Sequence, residues 1–253
     1  MHSNILNLSD KLKCLECQST LLAVNEYNIK CNSCGHIYPY KNSIINFDDK
    51  LEEQDFISST QPKLFKNQKL YEFINFTLLG LLKRTDIDID NNIRGKEVLD
   101  IGCGPKPYFY NPHVTSFHVG IDISIPFLIR SSEILPESHF IKASAINLPF
   151  KDNSFDVILY LFTLHHIPYD HSLLIKEAYR VSREKIIVFD HNQSQKGIKK
   201  ILKANWWKFK DKGFKYNTQN EWEELLKEYK IEEKRLLGGF LENIFEFVIV
   251  KKG

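Results

Sequence analysis

From Gly95 onward, short apolar stretches alternate with stretches of helical character, and this alternation constrains the fold more than any other feature. Strands are predicted over Val98–Ile101, His118–Ile123, His139–Lys142, Asp156–Phe162 and Lys185–Asp190. A helix of alternating charge and leucine, Gln219–Tyr229, precedes two last strands near Ile231–Leu237 and Phe245–Lys251. Strands separated by helices assemble into a mostly parallel sheet, because each parallel return needs a crossover long enough to hold a helix. Helices then cover both faces, and ligands bind outside the C-terminal strand ends, at the switch point beside the first strand.

The first strand runs into "VLDIGCG", where Gly102 and Gly104 let the backbone pass close to a ligand that a side chain would obstruct. Asp122 ends the next strand in "GIDIS", where a carboxylate can accept hydrogen bonds from both ribose hydroxyls of an adenosine-containing cofactor. Dinucleotides and S-adenosylmethionine both carry adenosine. A dinucleotide also needs a third glycine and a helix N-terminus with free amides for its pyrophosphate. Here Pro105 and Pro107 each remove an N–H, and Pro112 limits the following helix to a turn or two. S-adenosylmethionine has no phosphate, so it is the better match.

Four of the five cysteines form two Cys-x-x-Cys pairs, Cys14/Cys17 and Cys31/Cys34, while Cys103 lies in the glycine turn. Two such knuckles present four thiolates to one ion, and tetrahedral zinc is the expected occupant. Gln18-Ser19 and Gly35 fit the tight turns after each knuckle, and His36 is read as a residue outside the ligand set. A module this small depends on its metal to fold.

The 253 residues suffice for one sizeable domain plus an accessory one. The expected division is a zinc ribbon over 1–50, a linker with an amphipathic helix from Leu70 over 51–95, and a cofactor domain over 96–253. A net charge of +2 is too small to argue for nucleic acid. No apolar run is long enough to span a bilayer, and "MHSNILNLSDKLKC" lacks the pattern of a secretory leader. A cytoplasmic protein is expected.

The run "VLDIGCG…GIDIS…ASAINLPFKDNSFDVILYLFTLHHIP" resembles the class I S-adenosylmethionine-dependent methyltransferases, in particular the group containing the ubiquinone and menaquinone biosynthesis enzymes. "EAYRVSREKIIVFDHN" is similar to the helix and fifth strand that follow in that family. The resemblance implies an α/β, Rossmann-like seven-stranded sheet with helices on both faces, preceded by the small N-terminal zinc ribbon. It also implies site roles. Gly102 and Gly104 would lie under the methionine end of the cofactor, and Asp122 would bind the ribose. Ile123 would flank the adenine, Ser144 and Ala145 would lie at its amino edge, and Leu161 would meet the methionine portion. Asp100 would orient the turn or bind the cofactor ammonium. The chain departs from the family pattern in lacking a third glycine, in carrying Ser144 where an acid is usual, and in lacking a Pro-Gly turn before the fifth strand. "CNSCGHIYPYKNSIINF" resembles the ribbon of small tRNA-methyltransferase activator proteins and of some methyltransferases that modify ribosomal RNA guanine.

The cofactor sulfonium is already an activated electrophile, so a base is required only where the acceptor must lose a proton. His165, His166 and His191 fall just past the fourth and fifth strands and are the candidates, with structural hydrogen bonding as the competing role for the His165–His166 pair. The run Lys196 to Tyr216 mixes lysines with aromatics and suits an acceptor lid, a solvated amphipathic helix or an RNA surface. The leading expectation is methyl transfer to oxygen or nitrogen of a small-molecule acceptor. An RNA base methyltransferase and a non-catalytic scaffold are the alternatives.

Overall fold

A computed structural model describes residues 8–25, 28–47, 87–107, 109–193, 213–238 and 243–252. The predicted helix from Leu70 and most of the run from Lys196 lie outside these residues. Among the described residues the chain forms one mixed sheet of 11 strands. Four N-terminal strands come first: β1 (Leu21–Asn25), β2 (Asn28–Cys31), β3 (Ile37–Lys41) and β4 (Ile44–Asn46). Then follow β5 (Glu97–Ile101), β6 (Phe117–Asp122), β7 (His139–Lys142), β8 (Phe155–Leu161), β9 (Ser182–His191), β10 (Lys230–Gly238) and β11 (Asn243–Val250). The spatial order is β1-β2-β3-β4-β7-β6-β5-β8-β9-β11-β10. Strands β5 to β9 pair in parallel, and β11 runs antiparallel to both β9 and β10.

The central strands are buried on both faces, so β8 reads FDVILYL as a nearly continuous apolar run. One face carries Leu99, Ile121, Ile158, Tyr160 and Phe247 against α3 (His171–Val181) and α4 (Gln219–Leu226). The other face carries Val98, Val157, Leu159 and Phe189 against α1 (Ile89–Ile93), and α2 (Ile125–Ile134) packs beside it on Phe140. Helix α3 is amphipathic: Leu174, Ile175, Ala178 and Val181 form its buried stripe, and Asp170 caps it by accepting from the Ser172 amide. The leucine, isoleucine and valine of that stripe each contribute roughly 1.5 to 3 kcal/mol on burial. Helix α4 starts with a reciprocal capping box between Thr218 and Glu221. It stops at Leu226, short of the predicted Tyr229, where the chain turns into β10.

The N-terminal strands do not stand apart from the main sheet, which the sequence reading had not anticipated. Asn42 and Ser43, both at positive φ, make a two-residue hairpin that returns β4 beside β3. β4 then pairs in parallel with β7, with Ile44 opposite Phe140 and Asn46 opposite Lys142. Ile45, Tyr38 and Phe47 enter the same core as Ile141 and Leu148. The physical reason is edge satisfaction: the sheet would otherwise leave the β7 backbone unpaired on one side. Upstream, Lys11 reaches Glu97 at 2.8 Å and the Ser154 carbonyl at 3.0 Å, which fastens this segment to the N-terminal ends of the central strands β5 and β8.

Candidate cofactor and metal sites

The glycine turn follows β5, the strand at the switch point between β6 and β8. Gly102 and Gly104 have φ of 72° and 61°, a left-handed backbone in which a Cβ is strained. Their surroundings differ. A Cβ at Gly102 would collide with the Thr163 side chain, whereas one at Gly104 would meet nothing within 4 Å. Gly102 therefore admits Thr163, and Gly104 leaves the open cradle. The Gly104 amide donates to Asp122 Oδ2 at 3.1 Å, and the Ser124 amide donates to Oδ1 at 2.9 Å. On the helix side, Ser131 Oγ donates to the Gly104 carbonyl at 2.8 Å. Turn and Asp122 are thus held as one unit.

Asp122, Ile123, Ser144, Ala145 and Leu161 are all partly accessible along the C-terminal strand ends, beside the cradle. Burial pushes the Asp122 carboxyl above its ordinary value, while the Ser124, Gly104 and Ile123 amides and the His166 imidazole pull the other way. Asp100 is different, at 4 % exposure. Its Oδ2 accepts the Tyr110 hydroxyl at 2.6 Å, and His118 Nε2 lies 2.9 Å from the same hydroxyl. Burial raises Asp100 to about 7 and drives His118 down to about 3, so the imidazole is neutral. Because the Tyr110 proton goes to Asp100, the His118 Nε2–H donates to Tyr110. This geometry fits a residue that orients the turn rather than one that touches a ligand. Tyr110 and His118 were not singled out in the sequence; Tyr110 lies in the proline-rich connection that lacks the third glycine.

Beyond β8, Phe162 adopts φ of 57°, an uncommon conformation for a bulky residue, and its amide donates to Phe189 at 2.7 Å. The chain thereby turns Thr163 under the glycine loop and starts a single 3-10 turn, Leu164–His166. His165 Nδ1 lies 2.5 Å from Asp190 Oδ1, and the His165 amide donates to Oδ2 at 3.0 Å. The His191 amide donates to the same carboxylate at 2.6 Å. Burial alone would raise Asp190, yet the His165 imidazole and the His191 amide hold its carboxyl below the ordinary range. Asp190 was missed as a site residue, although it stands at a strand end in "FDHN".

The three candidate imidazoles form one cluster: His165 lies 4.1 Å from His166 and 4.7 Å from His191, centroid to centroid. They differ in access. His165 and His191 are 2 % and 3 % exposed, and Tyr216 stacks on His165 at 5.3 Å. His166 is partly exposed, and its imidazole is among the groups that act electrostatically on the Asp122 carboxyl.

In the N-terminal module, the Sγ atoms of Cys14, Cys17, Cys31 and Cys34 all lie within 4.8 Å of one another. The Cys14–Cys34 and Cys17–Cys31 separations are 3.7 and 3.3 Å. Tetrahedral zinc–thiolate bonds of about 2.3 Å put sulfurs about 3.8 Å apart, so the set fits such an ion. The two knuckles are built alike: the Gln18 amide donates to the Cys14 carbonyl at 2.9 Å and the Gly35 amide to the Cys31 carbonyl at 3.2 Å, with φ of 64° and 75°. Crowding also separates the thiols. The Ser19 amide draws Cys17 down to about 6. The His36 amide favours the Cys34 thiolate, but desolvation and three neighbouring sulfurs push it up to about 12. A divalent cation relieves that repulsion. His36 lies outside the ligand group, with its ring 4.6 Å from Tyr38.

The order β7-β6-β5-β8-β9-β11-β10, with its cradle after β5 and its acid after β6, is the Rossmann-like methyltransferase arrangement. Residues 99–189 match the methyltransferase domain family. A Methanocaldococcus jannaschii protein is 33% identical over 141 residues, 55% of this chain and 56% of that one. The phthiotriol/phenolphthiotriol dimycocerosates methyltransferase of Mycobacterium tuberculosis is 32% identical over 110 residues, covering 42% of this chain and 40% of its own. The demethylmenaquinone methyltransferase of Listeria welshimeri is 33% identical over 126 residues, covering 45% and 51%. The chain thus spans about half the length of the curated relatives it matches. Among solved structures, a Thermotoga maritima S-adenosylmethionine-dependent methyltransferase superposes with a TM-score of 0.55 at 20% identity, over 74% of this chain and 97% of that one. No helix of the described residues is long and apolar enough to cross a membrane.

Proposed function

We propose that the chain is an S-adenosylmethionine-dependent methyltransferase acting on oxygen or nitrogen of a small-molecule acceptor. The observation that carries this reading is the open left-handed cradle at Gly104, tied by its own amide to the Asp122 carboxylate. When bound, the cofactor supplies an activated methyl group. Asp122 holds the ribose, Ile123 flanks the adenine, and Ser144 and Ala145 present their loop to its amino edge. Gly102, Gly104 and Leu161 border the methionine end, while Asp100 with Tyr110 fixes the turn from below. Zinc at Cys14, Cys17, Cys31 and Cys34 is structural.

His166 is the base in this proposal. It is partly exposed and acts electrostatically on the Asp122 carboxyl, whereas His165 and His191 are buried. His165, held by Asp190, positions the turn that carries His166. The named relatives act on dimycocerosates and demethylmenaquinone, which favours a small-molecule acceptor here as well. The RNA alternative rests on the ribbon, on the resemblance of "ASAINLPF" to ribosomal RNA guanine enzymes, and on the lysine-aromatic run, most of which lies outside the described residues. The acceptor class is tested by incubating the protein with tritium-labelled S-adenosylmethionine and cell extract divided into RNA, protein and small-molecule fractions. Label in the small-molecule fraction is expected; label confined to RNA would overturn the acceptor assignment.

A further inference from the structure

Resting on the cofactor and metal readings above, we infer that the cysteine site and the adenine loop are coupled, so that metal in the ribbon strengthens cofactor binding and the cofactor retains the metal. The N-terminal module grips both ends of the loop that carries Ser144 and Ala145. At one end the Phe47 amide donates to the Lys142 carbonyl at 2.9 Å, extending the β4–β7 pairing to the last residue before the loop. At the other end the Lys13 amide donates to the Pro149 carbonyl at 3.0 Å, and the Lys151 amide to the Lys11 carbonyl at 2.8 Å. Lys13 directly precedes the first cysteine, while Phe47 follows the β3–β4 hairpin that leads on from the second knuckle.

A continuous set of contacts joins the metal ligands to the first grip. The Tyr38 hydroxyl lies 3.2 Å from Cys14 Sγ and accepts from the Leu15 amide at 2.9 Å. The Tyr38 ring packs against Phe47 at 4.3 Å between centroids, the planes tilted by 33°. Phe47 then fixes Lys142, and Ala143 donates to the Asp122 carbonyl at 3.3 Å. The same strand end therefore borders the adenine edge and the ribose acid. Coupling carried through packed groups requires an element with two arrangements. Here it is the 143–147 stretch, gripped when the ribbon is closed on its metal and released when it is not. Its far end has a second anchor, since the Leu148 amide donates to Glu177 at 2.9 Å. The expected change is therefore confined to 143–147 and does not extend into α3.

Binding linkage is reciprocal: the factor by which metal tightens cofactor binding equals the factor by which cofactor tightens metal binding. The test uses the full chain loaded with zinc, S-adenosylhomocysteine as probe, and two variants, Tyr38→Phe and Phe47→Leu, each verified to hold one zinc. Both are expected to weaken S-adenosylhomocysteine roughly five- to tenfold. Amide exchange should rise at Ser144 to Asn147 and stay unchanged at Gly102 to Gly104. In the wild-type chain, saturating S-adenosylhomocysteine should slow zinc loss to a chelator, and in Phe47→Leu that protection should shrink. Zinc-loaded variants with wild-type affinity and wild-type exchange at 144–147 would overturn the coupling. Should the wild-type chain bind no S-adenosylhomocysteine, the cofactor reading fails and the coupling with it, whereas binding of equal strength with and without zinc overturns the coupling alone. Should one variant fold poorly, the zinc-loss measurement on the wild-type chain still supports or overturns it.

Discussion

Gly102 and Gly104 look equivalent as letters in "DIGCG", yet their neighbours assign them different tasks. Gly102→Ala combines left-handed strain with a collision against Thr163 and should cost about 3 kcal/mol of stability. Gly104→Ala has only the strain, about 1 to 2 kcal/mol, but its methyl group enters the cradle. Thermal unfolding should therefore single out Gly102→Ala, while S-adenosylhomocysteine titration should show the larger loss per unit of stability in Gly104→Ala. Equal profiles for the two would contradict the assignment. Asp100 and His118 make a second residue-scale prediction. Asp100, raised from 3.8 to about 7, stabilises the fold at low pH, and that contribution is lost as pH rises through about 7. His118, lowered from 6.5 to about 3, has the opposite sign: its contribution is present above its ordinary value and lost as pH falls. Asp100→Asn removes the first alone. Urea titrations between about pH 4 and 7 should give the variant a stability-against-pH slope more positive than wild type by about 1.4 kcal/mol per unit. Parallel profiles would show that Asp100 is not protonated in the fold. Glycines and acids at strand ends are legible in the sequence because the turn demands those residue types. Tyr110 and His118 were not, since a buried hydroxyl–imidazole pair has no local spacing to betray it.

Among the elements, the single turn Leu164–His166 carries two of the three candidate imidazoles. Its first imidazole is pinned by Asp190 and its second is left partly exposed. His166→Gln should lower kcat by about a hundredfold or more while leaving S-adenosylhomocysteine affinity unchanged, the signature of a lost base. If kcat is unaffected, the acceptor needs no base or another group provides it. Strand β8 and helix α3 were readable in advance because burial on both faces, or along one stripe, imposes a periodic pattern. The end of α4 was placed three residues too late, since Tyr229 continues the apolar pattern after the helical hydrogen bonds have stopped.

For the whole molecule, the N-terminal strands lengthen the cofactor-domain sheet through β4 and β7. That pairing was invisible in the sequence: "SIINF" reads as the tail of a ribbon, and nothing local says which distant edge it will cover. It implies that chelating the metal lowers the unfolding temperature of the entire chain in one transition. A separate low-temperature transition with the remainder unchanged would show the ribbon to be independent. The parallel core, the switch point and the cradle, by contrast, followed from strand and helix alternation and two glycines. The claim on which the account depends is that this cradle holds S-adenosylmethionine, and calorimetric titration with S-adenosylhomocysteine addresses it most directly. One site per chain is expected, weakened about ten- to a hundredfold in Asp122→Ala, as suits the loss of charge-assisted hydrogen bonds worth about 1.5 to 3 kcal/mol. No binding at millimolar ligand, or equal binding by Asp122→Ala, would contradict it.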